Sequence, residues 1–122
     1  MKRTYYQATG MTYVAIRVPR ELKQLLSARV KASGQPFRYV CQEMIAAFAV
    51  RAEDARRADQ LDRVAFMATY KDPAGPRIML WIDGHLSRRL ADLADAAHVS
   101  RRAFCYTALQ RALETDHRRK RS

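Results

Sequence analysis

The sequence predicts a mainly helical domain that contains two copies of a strand–helix–helix unit. The first observation is a repeat: when the 122-residue chain is shifted by 64 positions, the apolar patterns of its halves match without a gap. The second is that each half opens with alternating apolar residues and continues with apolar residues at helical spacing. The third is size, because a unit this small cannot bury its own apolar face. We therefore expect the two units to share one core.

The first unit begins with a strand over residues 13–18, where apolar residues recur with period two. Pro19 fits the first turn of the helix that follows, because its missing N–H costs nothing there. Gly34 can adopt the left-handed conformation that ends this helix, and Pro36 cannot continue it. A second helix follows Pro36. The apolar positions of the two helices are Leu22, Leu25, Leu26, Val30, Val40, Cys41, Met44, Ile45 and Phe48.

The second unit repeats this order. Its strand lies in the stretch "RIMLWI", with Ile78, Leu80 and Ile82 at alternating positions. Asp83 can cap its first helix and Ser100 its second, since both side chains accept hydrogen bonds from N–H groups of a first helical turn. The apolar positions of these helices are Leu86, Leu90, Leu93, Ala94, Phe104, Cys105, Ala108, Leu109 and Ala112.

We interpret residues 1–122 as a single domain. Between the units, apolar residues at helical spacing favour a connecting helix over a mobile linker, and "DPAGP" then ends it. The apolar residues of this helix are Leu61, Val64, Ala65 and Ala68. The predicted parts are unit one at 11–50, the connecting helix and loop at 51–75, unit two at 76–114 and a basic tail at 115–122.

The charge of the chain indicates a polyanionic partner. Twenty-three Lys and Arg residues against twelve Asp and Glu residues give a net charge of +11. Nucleic acid is the first expectation and an anionic membrane surface the second. No apolar run reaches the roughly 20 residues of a spanning helix, and the N-terminus lacks the apolar region of a secretory signal. Cys41 and Cys105 form no CxxC motif and are expected to be reduced, in a cytoplasmic chain.

One short strand, a helix, a glycine turn and a second helix together resemble the ribbon-helix-helix family of bacterial and phage DNA-binding proteins. The stretches that carry this resemblance are "VAIRVPREL" at 14–22 and "SGQPFRYVCQEMI" at 33–45. In that family two chains pair their strands into an antiparallel ribbon that enters the major groove of DNA. Because both units lie in one chain here, the resemblance implies a pseudo-dimer made by a single polypeptide.

The tandem arrangement is similar to the overdrive-binding virulence proteins that the VirC operon of Ti and Ri plasmids encodes. This resemblance implies that the chain corresponds to their C-terminal DNA-binding part. It also implies a cytoplasmic role in bacteria, promoting T-DNA processing and transfer with a ParA-like partner ATPase and a border relaxase. The alternatives are a relaxosome accessory protein of conjugation, a plasmid transcriptional repressor, or, in another class, an antitoxin-like protein-interaction module.

Period two divides each strand into an inward and an outward face. The outward residues, which we predict to contact DNA bases, are Tyr13, Ala15, Arg17, Arg77, Met79 and Trp81. Arg17 and Arg77 can each bind guanine O6 and N7, whereas Ala15 and Met79 offer apolar contact to a thymine methyl group. Solvated surface charge is the alternative for Arg17. Because the two outward triplets differ, we predict a non-palindromic target.

Trp81 has a second interpretation. The strand of the second unit is apolar on both faces, and tryptophan is an unusual base reader. Trp81 could instead pack beneath the connecting helix, near Phe66 or Met67.

Phosphate contacts are predicted at the start of the second helix of each unit, where free N–H groups and the helix dipole favour an anion. The predicted residues are Phe37, Arg38, Ser100, Arg101 and Arg102. Ordinary surface charge is the alternative for the arginines. The basic ends, Lys2–Arg3 and Arg118–Arg121, either wrap the DNA backbone or are solvated and disordered.

The sequence offers no set of residues for catalysis, a cofactor or a metal. The three histidines, at 85, 98 and 117, share no ligand spacing with one another or with the cysteines. Cys41 and Cys105 occupy matching positions on apolar helix faces and are predicted to be core residues. We therefore predict a DNA-binding protein that is not an enzyme.

Overall fold

The structure, a computed structural model, describes residues 12–61, 64 and 75–121, with the side chains of the last helix described as far as Glu114. Within these residues the chain is mainly helical and carries one two-stranded antiparallel sheet, as predicted. The elements are β1 at Thr12–Arg17, α1 at Arg20–Ser33, α2 at Phe37–Arg57, β2 at Arg77–Ile82, α3 at Gly84–Ala97 and α4 at Arg101–Arg121. No helix in this part of the chain is long and apolar enough to cross a membrane.

The two strands come from the two halves of the chain and pair along their whole length. The facing residues are Thr12 and Ile82, Tyr13 and Trp81, Val14 and Leu80, Ala15 and Met79, Ile16 and Ile78, and Arg17 and Arg77. Just beyond β1, the Val18 N–H donates to the Pro76 carbonyl at 3.1 Å. Hydrogen-bonded pairs alternate with unbonded pairs in an antiparallel ladder, so the bonded pairs fall on even-numbered residues of β1. The odd-numbered residues of β1 therefore lie in unbonded pairs, whose side chains approach more closely.

One apolar core takes residues from both halves. On the ribbon, Ile16 and Leu80 are fully buried and Val14 is half-buried, which follows the predicted period of two. In the centre, the rings of Phe48 on α2 and Phe104 on α4 meet edge to face, with centroids 5.2 Å apart. Burial of each such side chain stabilises the fold by about 1.5–3 kcal/mol. The two β-strands thus pack against a layer that α2 and α4 form together.

Three of the predicted helix ends are confirmed. Asp83 accepts a hydrogen bond from the Leu86 N–H at 2.9 Å, and Ser100 accepts one from the Ala103 N–H at 3.0 Å. Gly34 follows α1 with a φ of +68°, the left-handed conformation that glycine adopts without strain. Pro19 lies one residue before α1 rather than inside its first turn.

The described residues of the predicted connecting segment are 51–61, 64 and 75, and they include the end of α2. Residues 51–57 belong to α2 itself, because no breaker interrupts the helix and Ala52 continues its buried face. The helix ends where Asp59 takes a φ of +54°. Leu61 and Val64 are half-buried against the core, while Ala65 and Ala68 lie outside the described residues.

Candidate nucleic-acid interface

The outward face of the ribbon carries all six residues that the sequence predicts as base contacts. The register places them in three facing pairs: Tyr13 with Trp81, Ala15 with Met79, and Arg17 with Arg77. All three are unbonded pairs, in which facing Cβ atoms lie about 4.5–5.5 Å apart. The six side chains therefore form one strip, which we call the outward strip, with two side chains at each of three levels.

Most of the outward strip is open to solvent. Arg17 and Arg77 are exposed, Tyr13 is 54% exposed and Met79 is 42% exposed, whereas Ala15 and Trp81 are half-buried. Exposed apolar side chains that lie together on a protein surface indicate a binding surface, whereas apolar side chains scattered singly do not.

Trp81 lies beside Tyr13 at one end of the outward strip. Their ring centroids are 5.2 Å apart and the rings are tilted by 54°. Such a contact stabilises by about 0.5–1.5 kcal/mol and restricts both rings. The alternative neighbours of Trp81, Phe66 and Met67, lie outside the described residues.

The other end of the outward strip is basic. The Arg17 Nη1 atom donates a hydrogen bond to the Gly75 carbonyl at 3.1 Å, which ties the guanidinium to the chain just before β2. Gly75 is required at this place, since a Cβ atom there would lie 2.1 Å from the Val18 carbonyl oxygen. The close approach of the two chain segments thus fixes both the end of the ribbon and one orientation of Arg17.

Arg102, predicted to contact phosphate, lies against the edge of the ribbon. Its Nε atom donates to the Ala15 carbonyl at 3.0 Å, an oxygen that the strand ladder leaves unused because Ala15 is in an unbonded pair. Arg101 and Ser100, beside it at the start of α4, are both exposed, and Ser100 also caps the helix. Of the three predicted residues of the second unit, Arg102 is therefore the one that contacts the ribbon.

The start of α2 is built differently. Pro36 precedes it and gives no side-chain cap, so the first N–H groups of α2, those of Phe37 and Arg38, have no capping side chain. Arg38 is exposed, but the Phe37 ring is half-buried against the core, with the Lys23 ammonium 4.8 Å from its centroid. Phe37 can therefore offer a phosphate its main-chain N–H and not its side chain.

Two further residues near this helix start are candidates for contact with DNA that the sequence pattern did not single out. Tyr39 is 52% exposed in the first turn of α2, and Lys23 covers Phe37. The position of Tyr39, just outside the apolar stripe of α2, was the available signal. Of the basic ends, Lys2–Arg3 lies outside the described residues, and Arg118–Arg121 lies in the part of α4 without described side chains.

The cysteines have the character of core residues. Both thiols are free and buried, and burial raises the pKa of Cys41 and of Cys105 to about 12. A thiol with such a pKa is protonated at neutral pH and is a poor nucleophile. Among the described residues, no group of three or more His, Cys, Asp or Glu side chains is arranged to hold a metal ion.

Comparisons of this chain with protein-family models, with curated proteins and with solved structures found no match.

Proposed function

We propose that this chain is a single-chain pseudo-dimer of two ribbon-helix-helix units that binds double-stranded DNA through its ribbon. The observation that carries the proposal is the strand register. It brings the six residues predicted to contact bases onto one exposed face, in three facing pairs. A two-stranded ribbon fits the major groove, where each base pair presents a distinct set of donors and acceptors.

The register also supports the pseudo-dimer. Ala15 faces Met79, which lies 64 positions later in the chain and is therefore the counterpart of Ala15 in the repeat. Exchanging the two units therefore leaves the set of strand pairs unchanged, as a two-fold axis through this pair requires. The left-handed residues Gly34 and His98, with φ of +68° and +59°, are counterparts by the same shift. The sequence repeat, the strand pairing and the helix ends thus each support the proposed pseudo-two-fold relation.

Charge and helix placement support an anionic partner of extended shape. The net charge is +11, and Arg102 lies at the edge of the ribbon beside the start of α4. A helix start favours phosphate oxygens, and phosphate contacts would position the ribbon without selecting sequence. In this proposal the outward strip specifies the site, while the starts of α2 and α4 anchor the protein to the DNA backbone.

For the biological target, the resemblance of the tandem units favours an enhancer of plasmid T-DNA transfer. We propose that the chain binds such an element in the bacterial cytoplasm to promote T-DNA processing, without catalysis of its own. A ParA-like ATPase and the border relaxase are the proposed partners.

A titration of fluorescent duplexes at several salt concentrations tests the proposal. Each phosphate contact should add about −0.9 to the slope of log K against log salt. Selection from random duplexes should then enrich one sequence that the protein binds more tightly than a scrambled duplex. The variant Arg56→Ala serves as the control and should change neither result, because Arg56 is exposed and lies about 27 Å from Arg38 along α2.

A chain that binds all duplexes equally, with little salt dependence, would contradict the proposal. That result would favour the protein-interaction module instead. An overdrive duplex that binds no better than its scrambled version would contradict only the T-DNA assignment.

A further inference from the structure

The outward strip has two chemically different ends. Arg17 faces Arg77 at one end, and Tyr13 faces Trp81 at the other. The pseudo-two-fold relation does not require this. If the second unit repeated the outward residues of the first, an arginine would face a tyrosine at each end. In this chain the order is reversed in the second strand, so both arginines are collected at one end.

The paired arginines place two positive charges at one level of the ribbon. Like charges that face each other across two strands are destabilising, and an unbonded pair brings them closest. Arg17 is also oriented by the Gly75 carbonyl, so it does not simply swing away from its neighbour. A ligand with several acceptor atoms suits two guanidinium groups, because each of them carries several N–H donors. The O6 and N7 atoms of guanine are such acceptors.

The opposite end and the centre offer no charge on the outward face. The Tyr13 and Trp81 rings are in contact at 5.2 Å, and Met79 is exposed beside them, facing Ala15. Apolar side chains in the major groove contact the methyl group of thymine. Tyr13 and Arg17 are four residues apart, about 13 Å along a strand, which equals roughly four base-pair steps of 3.4 Å.

We infer that the chain reads a directional site. Arg17 and Arg77 together contact guanines in one half, the centre contacts thymine methyl groups about two base pairs away, and the aromatic end contacts them about four base pairs away. The protein then binds its duplex in one orientation only. This inference rests on the proposed function and adds the polarity of the target, which depends on the register.

Base-pair substitution across the selected site tests this polarity. Arg17→Ala and Arg77→Ala should each lose about 5- to 150-fold of the discrimination against the wrong base, and at base pairs in the same half. Tyr13→Ala should lose discrimination in the other half. Arginine variants that relax opposite halves of the site would overturn the inference.

An exchange of the outward residues is the second test. The double variant Arg77→Tyr with Trp81→Arg restores one arginine at each end of the outward strip. Selection with this variant should enrich a site with guanines in both halves, close to a palindrome. An unchanged, asymmetric site would overturn the inference. If thermal unfolding shows that the variant does not fold, the single alanine variants decide.

Selection with the wild-type chain distinguishes a failure of this inference from a failure of the proposed function. A wild-type chain that enriches no sequence contradicts the proposed function. A wild-type chain that enriches a palindromic site leaves DNA binding in place and contradicts only the directional reading.

Discussion

Arg102 and Arg38 are counterparts in the repeat, but they are placed differently. Arg102 is held at the ribbon edge by the Ala15 carbonyl, 3.0 Å from its Nε atom. Arg38 is exposed at the start of α2. Both stand at helix starts, where a phosphate is favoured. Arg102 is oriented by the protein before any ligand arrives, so less conformational entropy opposes its binding to phosphate.

We expect Arg102→Ala to weaken binding to all duplexes alike, because a phosphate contact carries no sequence information. The slope of log K against log salt should become shallower by about 0.9. Anisotropy titrations of the selected duplex and a scrambled duplex measure both effects, and Arg56→Ala should change neither. A loss confined to the selected duplex would assign Arg102 to base reading instead.

Gly34 and His98 show how counterparts meet the same backbone demand. Both follow the first helix of their unit in the left-handed conformation, with φ of +68° and +59°. Glycine adopts this conformation freely, whereas a residue with a Cβ atom is strained by roughly 1–2 kcal/mol. His98 is exposed, so no buried contact of its side chain offsets the strain.

His98→Gly is therefore expected to stabilise the protein by about 0.5–1 kcal/mol, after the greater freedom of glycine in the unfolded chain is subtracted. Gly34→Ala should destabilise it by about 1 kcal/mol for the same reason. Urea unfolding measures both changes, and DNA affinity should stay constant. A lower free energy of unfolding in His98→Gly would contradict the strain argument.

At the scale of elements, α1 and α3 differ in the residue that precedes each helix and in whether its main-chain nitrogen needs a hydrogen-bond acceptor. The Asp83 N–H donates to the Gln42 side-chain oxygen at 3.1 Å. The counterpart of Asp83 is Pro19, which has no N–H and needs no acceptor. The counterpart of Gln42 accordingly needs to supply no acceptor there, and it is Tyr106, which is buried. A difference in sequence between the halves thus preserves the same structure.

The ribbon depends on Gly75 at its open end. A Cβ atom at this position would lie 2.1 Å from the Val18 carbonyl oxygen, and Val18 is fixed by its own hydrogen bond to Pro76. Gly75→Ala should destabilise the protein by about 2–3 kcal/mol and displace the carbonyl that orients Arg17. Urea unfolding and duplex binding should both report the change. Unaltered stability would mean that the ribbon end can open without cost.

At the scale of the whole molecule, an ion pair joins the two halves. Arg89 on α3 donates to both carboxylate oxygens of Glu53 on α2, at 2.9 and 2.6 Å. The hydrogen bond from Arg89 lowers the pKa of Glu53 below its usual value. A lowered pKa means that the contribution to stability is present above the unfolded pKa, about 4.3, and is lost as pH falls through the folded pKa.

Glu53→Gln should lower the free energy of unfolding at pH 7 by about 0.5–1 kcal/mol, since solvent screens a pair that is 30–39% exposed. The difference from the wild-type chain should shrink as pH falls below about 4. Denaturant unfolding at several pH values measures this, with Asp54→Asn in the more exposed pair with Arg57 as the control. If the difference in the free energy of unfolding grew as the pH fell, the stabilisation could not be assigned to the ionised Glu53 carboxylate.

The shared core predicts one cooperative unfolding transition. Cys41 and Cys105 are buried in the two halves, and burial raises the pKa of each thiol to about 12, so native labelling should be slow. Both thiols should become reactive at the same urea concentration, as the single-cysteine variants Cys41→Ala and Cys105→Ala would show. Labelling at separate concentrations would mean that the two units unfold independently.

The sequence by itself determined what depends on short-range chemistry. The alternation of apolar residues set which strand residues face outward, because successive side chains point to opposite faces. Asp83, Ser100 and Gly34 marked helix ends through hydrogen-bonding capacity and backbone freedom. The repeat indicated that two units belong together. Each of these properties is local, or compares one segment with another, and can be read along the chain.

Only the tertiary structure decided which outward residues face each other. Period two places Arg17 and Arg77 on a face but leaves the sliding of one strand along the other open. Packing of both strands on a common core, and the approach of Gly75 to Val18, fix that register. The same packing extended α2 to Arg57 and brought Arg102 to the ribbon edge. The two-ended outward strip is thus a product of register, which long-range contacts set and local sequence does not.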